Sequence, residues 1–364
     1  MAESNSTGIG EKKFNTKIQK ITHLYDLSSE LVEAVNLIKS NEVVAFPTET
    51  VYGLGANALD EKAVKKIFQA KGRPSDNPII VHISSYEMFT EVTSLKSNLE
   101  IIKKLQKCFW PGPLTLIVPK SDKVPYITTG GLETIAVRMP INPIALALIS
   151  QSKTPIAAPS ANISGKPSPT TAIDVYEDMQ GKIALILDGG NSEIGLESTV
   201  LDVSDIKRNP TILRPGKVTR REIEECLGMQ VDIFDITLLS DGRKELQAKS
   251  PGLKYRHYAP KAEVILVNDI DTFIKEYSIL KTKFANIGLI FDEKYISPLQ
   301  SRDVSFKGEV IYSYASLEEF ASNLYFKLRE MDKKNVPIII ILFNESQGLA
   351  EAIKNRLVKA SSKK

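Results

Sequence analysis

After Lys261 short runs rich in β-branched residues alternate with longer stretches of helical periodicity, and few folds accommodate that pattern. Strands are expected at 263–267, 287–291, 310–312 and 338–343, and helices at 271–277, 317–331 and 348–359. A strand followed by a helix and then another strand closes most readily as a right-handed crossover, so this region implies a small doubly wound parallel sheet. The run Val336-Pro337-Ile338-Ile339-Ile340-Ile341-Leu342-Phe343 is too short for a membrane span and reads as a strand buried on both faces.

Upstream the texture changes. Between about Tyr25 and Gly228 short apolar strands are expected at 43–46, 79–83, 114–118, 134–138, 156–158, 183–187, 198–203 and 211–214. Helices are expected at 29–40, 60–69, 99–108 and 219–227, the last opened by Thr219 with Glu222 three residues on, a capping box. Polar, Gly- and Pro-rich loops separate them, giving one α/β domain. Residues 232–260 contain DGRKELQAKSPGLKYRHYAP, a connection that also carries Tyr255, Arg256, His257 and Tyr258. Four bulky polar side chains are costly to leave merely solvated, so this linker is expected to dock on something.

Length fits about two domains. The 47 basic and 44 acidic side chains leave a formal net charge of +3, which gives no global electrostatic argument for nucleic acid or a membrane surface. Cys108 and Cys226 stand far apart with no metal-ligand spacing, and reduced thiols in a cytoplasmic protein are the expectation. The polar N-terminus MAESNSTGIGEKKFN has neither the apolar core of a signal peptide nor a basic amphipathic helix.

The stretch FPTETVYGLGANA ends in the G-x-G-x-x-A of a dinucleotide-binding turn. In such a turn the strand runs straight into the first glycine and an acidic residue closes the next strand. Here Pro47 to Tyr52 intervene, and the nearest suitable acid, Asp76, falls in a loop, so the Rossmann reading fails. Gly190 to Gly195 has Walker spacing but is followed by Leu196-Glu197 in place of Lys and Ser/Thr, so the phosphate-loop reading fails as well.

Other stretches carry donors instead. Lys71-Gly72-Arg73-Pro74-Ser75-Asp76-Asn77-Pro78 holds two cations and an amide on a chain stiffened by prolines, followed by His82 on a strand. APSANISGKPSPT offers small hydroxyls and bare backbone to a ligand, and Glu197-Ser198-Thr199-Val200 repeats the recipe. Arg138 and Arg214 each end an apolar strand, where a charge is paired or functional.

Together FPTETVYGLGANA, KGRPSDNP, FWPGPLTLI, VRMP, APSANISGKPSPT, ESTV and LRPG resemble the threonylcarbamoyl-AMP synthase family, the YrdC-like enzymes of tRNA modification, from about Leu27 to Gly228. The linker's SPGLKYRHYAP and the α/β tail match the family's long, two-domain form found in archaea and yeast. The resemblance implies an α/β protein: an N-terminal extension (1–24), a YrdC-like catalytic domain with a twisted mixed sheet (25–231), a linker covering the active site (232–260) and a Rossmann-like domain (261–364).

It also implies a nucleotidyltransferase that condenses L-threonine, bicarbonate and ATP to L-threonylcarbamoyl-AMP and pyrophosphate. By match to the motifs, Thr50, His82, Arg138, Ala158 and Ser198 would line the threonine site. Lys71, Arg73, Asn77, Thr134, Ser160, Ser168 and Arg214 would hold ATP, with His257 of the linker as a further nucleotide contact and Lys71 and Arg73 as the catalytic pair. Mg2+ would ride on the phosphates, since the motifs contain no carboxylate cage. The product would pass to the threonylcarbamoyl transferase complex acting on tRNA, with direct RNA contact left open and no membrane partner. The alternative is an RNA-binding module using the same cationic cleft, against which near-neutral charge and the lack of stacking aromatics in the motifs both count.

Overall fold

The computed structural model describes residues 14–95, 98–205, 207–234, 249, 258–302, 304, 306 and 308–361. Two sheets organise them. The first has eleven strands: β1 (Lys17–Lys20), β2 (Val44–Phe46), β3 (Gly53–Asn57), β4 (Ile80–His82), β5 (Leu114–Pro119), β6 (Thr134–Arg138), β7 (Ile156–Ala157), β8 (Leu185–Asp188), β9 (Thr199–Asp202), β10 (Thr211–Arg214) and β11 (Asp232–Ile233). Their order is β1-β8-β2-β3-β7-β4-β6-β5-β9-β10-β11, with parallel and antiparallel pairs mixed. The second sheet, β12 (Glu263–Val267), β13 (Gly288–Asp292), β14 (Val310–Tyr314) and β15 (Ile338–Leu342), is wholly parallel in the order β12-β15-β13-β14, as the alternation of strand and helix requires.

Three local outcomes depart from the sequence pattern. FPTETVYGLGANA is a pair of antiparallel strands, β2 and β3, joined by the loop that holds Thr50, and its glycines lie inside β3. A Cβ on Gly55 would stand 2.5 Å from the Phe46 ring and 2.7 Å from Ile156, so glycine is what lets that ring lie across the strand. Residues 17–20, expected in an N-terminal extension, form an edge strand parallel to β8. Cys108 and Cys226, expected as thiols, form a disulfide, because the fold sets the helices Leu99–Phe109 and Arg220–Leu227 side by side. The capping box at Thr219 is present as expected, with Thr219 accepting from the Glu222 backbone and Glu222 reaching back.

The two sheets do not pack as independent bodies. Val51 and Leu196 from the first region share one buried apolar cluster with Tyr258, Phe320, Leu324 and Tyr325. At Gly195 the backbone approaches the helix Leu317–Lys333 so closely that a Cβ would stand 2.4 Å from the Ser322 Cα. Among the described residues no helix is long and apolar enough to cross a membrane.

Candidate active site

One pocket opens over the middle of the large sheet, and two kinds of support build its walls. At one end the sheet register does the work. β4 and β6 run parallel with His82 opposite Arg138, so both side chains leave adjacent strand ends together. Arg138 is 2% exposed; its Nη1 donates to Thr50 Oγ1 at 2.8 Å and its Nε to the Gly112 carbonyl at 3.2 Å, while Nη2 stands 2.5 Å from Glu49 Oε1. Glu49 and Thr50 lie in the β2–β3 connection, where the Thr48 hydroxyl donates to the Val51 carbonyl at 2.6 Å and holds the turn. His82 is packed edge-on against Phe46, and burial, reinforced by the Arg138 charge, pushes its pKa down to about 3. It is therefore a neutral imidazole at any physiological pH, and no described group bonds its Nδ1.

The other end is carried by loops. Lys71 closes the helix Glu61–Lys71, which stops at Gly72 in the left-handed conformation (φ 60°). Its ammonium donates to the carbonyls of Ser160 (2.5 Å) and Asn162 (2.6 Å), and burial, with Arg73 beside it, holds its pKa well below the usual lysine range. Arg73 curls over the following turn and donates to the carbonyls of Asn77 (3.3 Å) and Pro78 (2.9 Å). Arg214, at the end of β10, donates from Nε to the Ser198 carbonyl and from Nη2 to Ser198 Oγ, both at 3.1 Å. Ser198 also shares a 2.7 Å hydrogen bond with Thr115.

Eight expected residues line the pocket and form two groups, termed its two ends: Arg138 bonded to Thr50 with His82 in register beside it and Ala158 just after β7, and Arg214 bonded to Ser198, with Arg73 and Ser160 in loops. Four expected residues stand outside the walls. Lys71 is turned into the Ser160–Asn162 loop, and Ser168 donates to Glu197 Oε1 at 2.6 Å. Asn77 is fully buried, with neither amide atom bonded to a described group. Thr134 begins β6, four residues or about 13 Å of strand from Arg138. His257, with Tyr255 and Arg256, lies outside the described residues, but Tyr258 at the end of the linker is a pocket wall.

Two carboxylates went unassigned from sequence: Glu49, which pairs with Arg138, and Glu197, another pocket wall. Both occur within motifs whose neighbours were selected, and an acid next to a selected Thr or Ser was the available signal. Burial pushes the Glu197 pKa up, but Arg356 and then Arg214 more than offset it and leave it below the usual carboxylate value. Among the described residues no group of three or more His, Cys, Asp or Glu could hold a metal ion. The pocket therefore offers three arginines, a neutral imidazole and several hydroxyls, a set suited to aligning anionic reactants.

The Sua5_yciO_yrdC family model, described as telomere recombination, matches residues 36–216, and the model for the threonylcarbamoyl-AMP synthase C-terminal domain matches residues 218–362. The threonylcarbamoyl-AMP synthase of Pyrococcus abyssi (strain GE5 / Orsay) is 50% identical over 329 residues, covering 90% of this chain and 93% of that protein. The Bacillus subtilis (strain 168) protein of the same name is 46% identical over 338 residues, covering 91% and 93%. The crystal structure of P. abyssi Sua5 complexed with L-threonine superposes with a TM-score of 0.85 at 45% identity, covering 95% of this chain and 98% of that one.

Proposed function

The chain belongs to the threonylcarbamoyl-AMP synthase family and is an enzyme of the nucleotidyltransferase type, and from that premise we propose that it condenses L-threonine, bicarbonate and ATP to L-threonylcarbamoyl-AMP and pyrophosphate. The observation that carries this reading is that a single pocket is lined both by Arg138, Thr50 and His82 and by Arg73, Ser160, Ser198 and Arg214. The P. abyssi structure, described as complexed with L-threonine, supports threonine as the amino acid.

The threonine amine combines with bicarbonate, losing water, to give a carbamate. A carbamate oxygen then attacks the α-phosphorus of ATP, and the bond from that phosphorus to the bridging oxygen breaks as pyrophosphate leaves. Both partners are anionic, so the protein's task is to neutralise and align them. Arg138, whose fork Glu49 and Thr50 already orient, meets the threonine carboxylate, with Ala158 completing that site; Ser198, expected at the threonine, is bonded by Arg214 and serves the nucleotide end. His82, being neutral, contributes a hydrogen bond rather than a charge. Arg73 and Arg214 supply fixed charge to the phosphates as negative charge shifts to the leaving pyrophosphate. Lys71 acts by holding the Ser160–Asn162 backbone in place and Ser168 by its bond to Glu197; Asn77 and Thr134 stand outside the pocket walls, and His257, expected at the nucleotide, lies outside the described residues. Mg2+ would ride on the phosphates and offset their charge, since no described carboxylate cluster could hold it.

Residues 25–231 form the catalytic unit and 261–364 the appended domain; most of the connection between them lies outside the described residues. The product supplies a threonylcarbamoyl transferase complex that makes N6-threonylcarbamoyladenosine in tRNA. The test is pyrophosphate release from ATP and bicarbonate with and without threonine: release that depends on threonine is expected, and release indifferent to it would overturn the assignment.

A further inference from the structure

Two arginines that touch no substrate in this scheme repeat one design. Arg356, on the C-terminal helix Leu349–Ser361, is completely buried. It donates from Nε to Glu197 Oε2 (3.0 Å), from Nη2 to the Glu197 carbonyl (3.3 Å) and from Nη1 to the Pro215 carbonyl (2.6 Å). One carbonyl immediately precedes Ser198 and the other immediately follows Arg214. Arg329, on the helix Leu317–Lys333, is 6% exposed and donates to the Pro167 carbonyl (2.6 Å from Nη2) and to Asp178 Oδ2 (2.8 Å). Pro167 precedes Ser168, and Asp178 in turn accepts from the Ile163 backbone at 3.2 Å and from Lys166 at 2.8 Å.

Each arginine therefore joins a buried carboxylate of the first region to the carbonyl of a proline beside a nucleotide-site residue. Glu197 links the two systems, accepting from Ser168 at 2.6 Å and from the Tyr325 hydroxyl at 3.0 Å. The loops so joined are in backbone contact: a Cβ on Gly216 would stand 2.4 Å from the Thr199 nitrogen and 2.8 Å from the Glu197 oxygen. A buried ion pair is a weak source of stability, because desolvation consumes most of its Coulombic gain. What a rigid guanidinium fork does supply is a fixed spacing between two acceptors, which a lysine cannot reproduce. The hydrogen bonds of Arg138, by contrast, go to Thr50 and Gly112, and its charge is met by Glu49, all in the first region.

We infer that Arg329 and Arg356 are positioning residues for the nucleotide end of the pocket: through them the C-terminal domain fixes the loops carrying Ser160, Ser168 and Ser198 and the turn that follows Arg214 on β10, while the hydrogen bonds of the threonine end stay within the first region. The inference rests on the function proposed above. It implies that the appended domain sets ATP affinity rather than threonine affinity.

The experiment uses the full chain with Arg329→Lys and Arg356→Lys, which keep the charge and lose the fork. Dissociation constants for an α,β-methylene ATP analogue and for L-threonine are measured by calorimetry, alongside both KM values and kcat. Each variant should weaken the analogue and raise the KM for ATP by at least ~10-fold, since small misplacements far from the chemistry are costly. Threonine binding should change by no more than about twofold, the scatter of uncoupled sites. Equal losses at both substrates, or none at either, overturn the inference. Tyr325→Phe, which removes one donor to Glu197 without uncovering it, should show a smaller loss of the same selectivity and serves if a lysine variant does not fold. Glu177→Gln, which breaks the exposed Lys333–Glu177 contact (2.8 Å) between the same two regions, should alter neither constant. A wild-type protein that binds no ATP analogue would refute the proposed function instead. In that case amide hydrogen exchange at Ile163 and Thr199 decides the inference: faster exchange in the lysine variants upholds it, and unchanged exchange overturns it.

Discussion

The two ends of the pocket are held in different ways. At the His82–Arg138 end, adjacent strands in register place the side chains and Glu49 neutralises the arginine locally. At the Ser160–Arg214 end, loops carry the groups, and their carbonyls are gripped by cations from elsewhere: Lys71 on Ser160 and Asn162, Arg329 on Pro167, and Arg356 on Glu197 and Pro215. A sheet fixes geometry through its own ladder, whereas loops need supports that cross long stretches of sequence. Changes at the first end should therefore act on one substrate and on stability, and changes at the second should spread along the loops.

The largest effect is expected from Arg138→Met. It leaves Glu49 as a buried carboxylate without its cation, so stability should fall by about 3–5 kcal/mol in urea denaturation, with threonine-dependent turnover lost. Arg214→Met should cost less stability, because Glu197 keeps Arg356; equal costs would mean that the two ends are not built differently. Lys71→Met comes next. The Ser160 and Asn162 carbonyls lose their donor, at about 1–3 kcal/mol for an unsatisfied group, and ATP affinity should drop with the loosened Ser160 loop. As one of the catalytic pair that the family resemblance implies, Lys71 would affect turnover far more than stability; its buried contacts predict that both fall, and calorimetric unfolding beside the KM for ATP distinguishes these outcomes.

The smallest effect at neutral pH belongs to His82. Its folded pKa of about 3 lies below the ordinary 6.5, so between those values the unfolded chain binds a proton that the folded chain refuses. Stability contributed by this group is thus intact above pH 6.5 and is lost progressively on acidification toward pH 3. His82→Asn should flatten that acid limb of the stability profile, and an unchanged slope would remove His82 from the buried end.

Much of this organisation was readable in the chain. The β-branched runs marked β9, β10 and all four strands of the second sheet to within a residue or two, and Thr219 with Glu222 marked a helix start. Motif residues at strand ends pointed to His82, Arg138 and Arg214. Other features depended on partners distant in sequence. GLGAN is poor strand material by propensity and becomes a strand because its missing side chains admit Phe46. The disulfide depends on two helices meeting, and the buried roles of Lys71 and Glu197 depend on acceptors and donors 89 and 159 residues away. The helices Pro143–Ser152 and Ala172–Met179 lie outside the expected set, although Asn142 and Thr171 cap them through their side chains.

The proposed chemistry requires that one molecule of product contain carbon from bicarbonate, the whole of threonine and the AMP moiety of ATP. Incubating the protein with [13C]bicarbonate, L-threonine and ATP and resolving the products by mass spectrometry tests this directly. The account predicts a singly 13C-labelled threonylcarbamoyl-AMP formed in step with pyrophosphate. An unlabelled adenylate, or pyrophosphate released with no threonine-containing product, would contradict it.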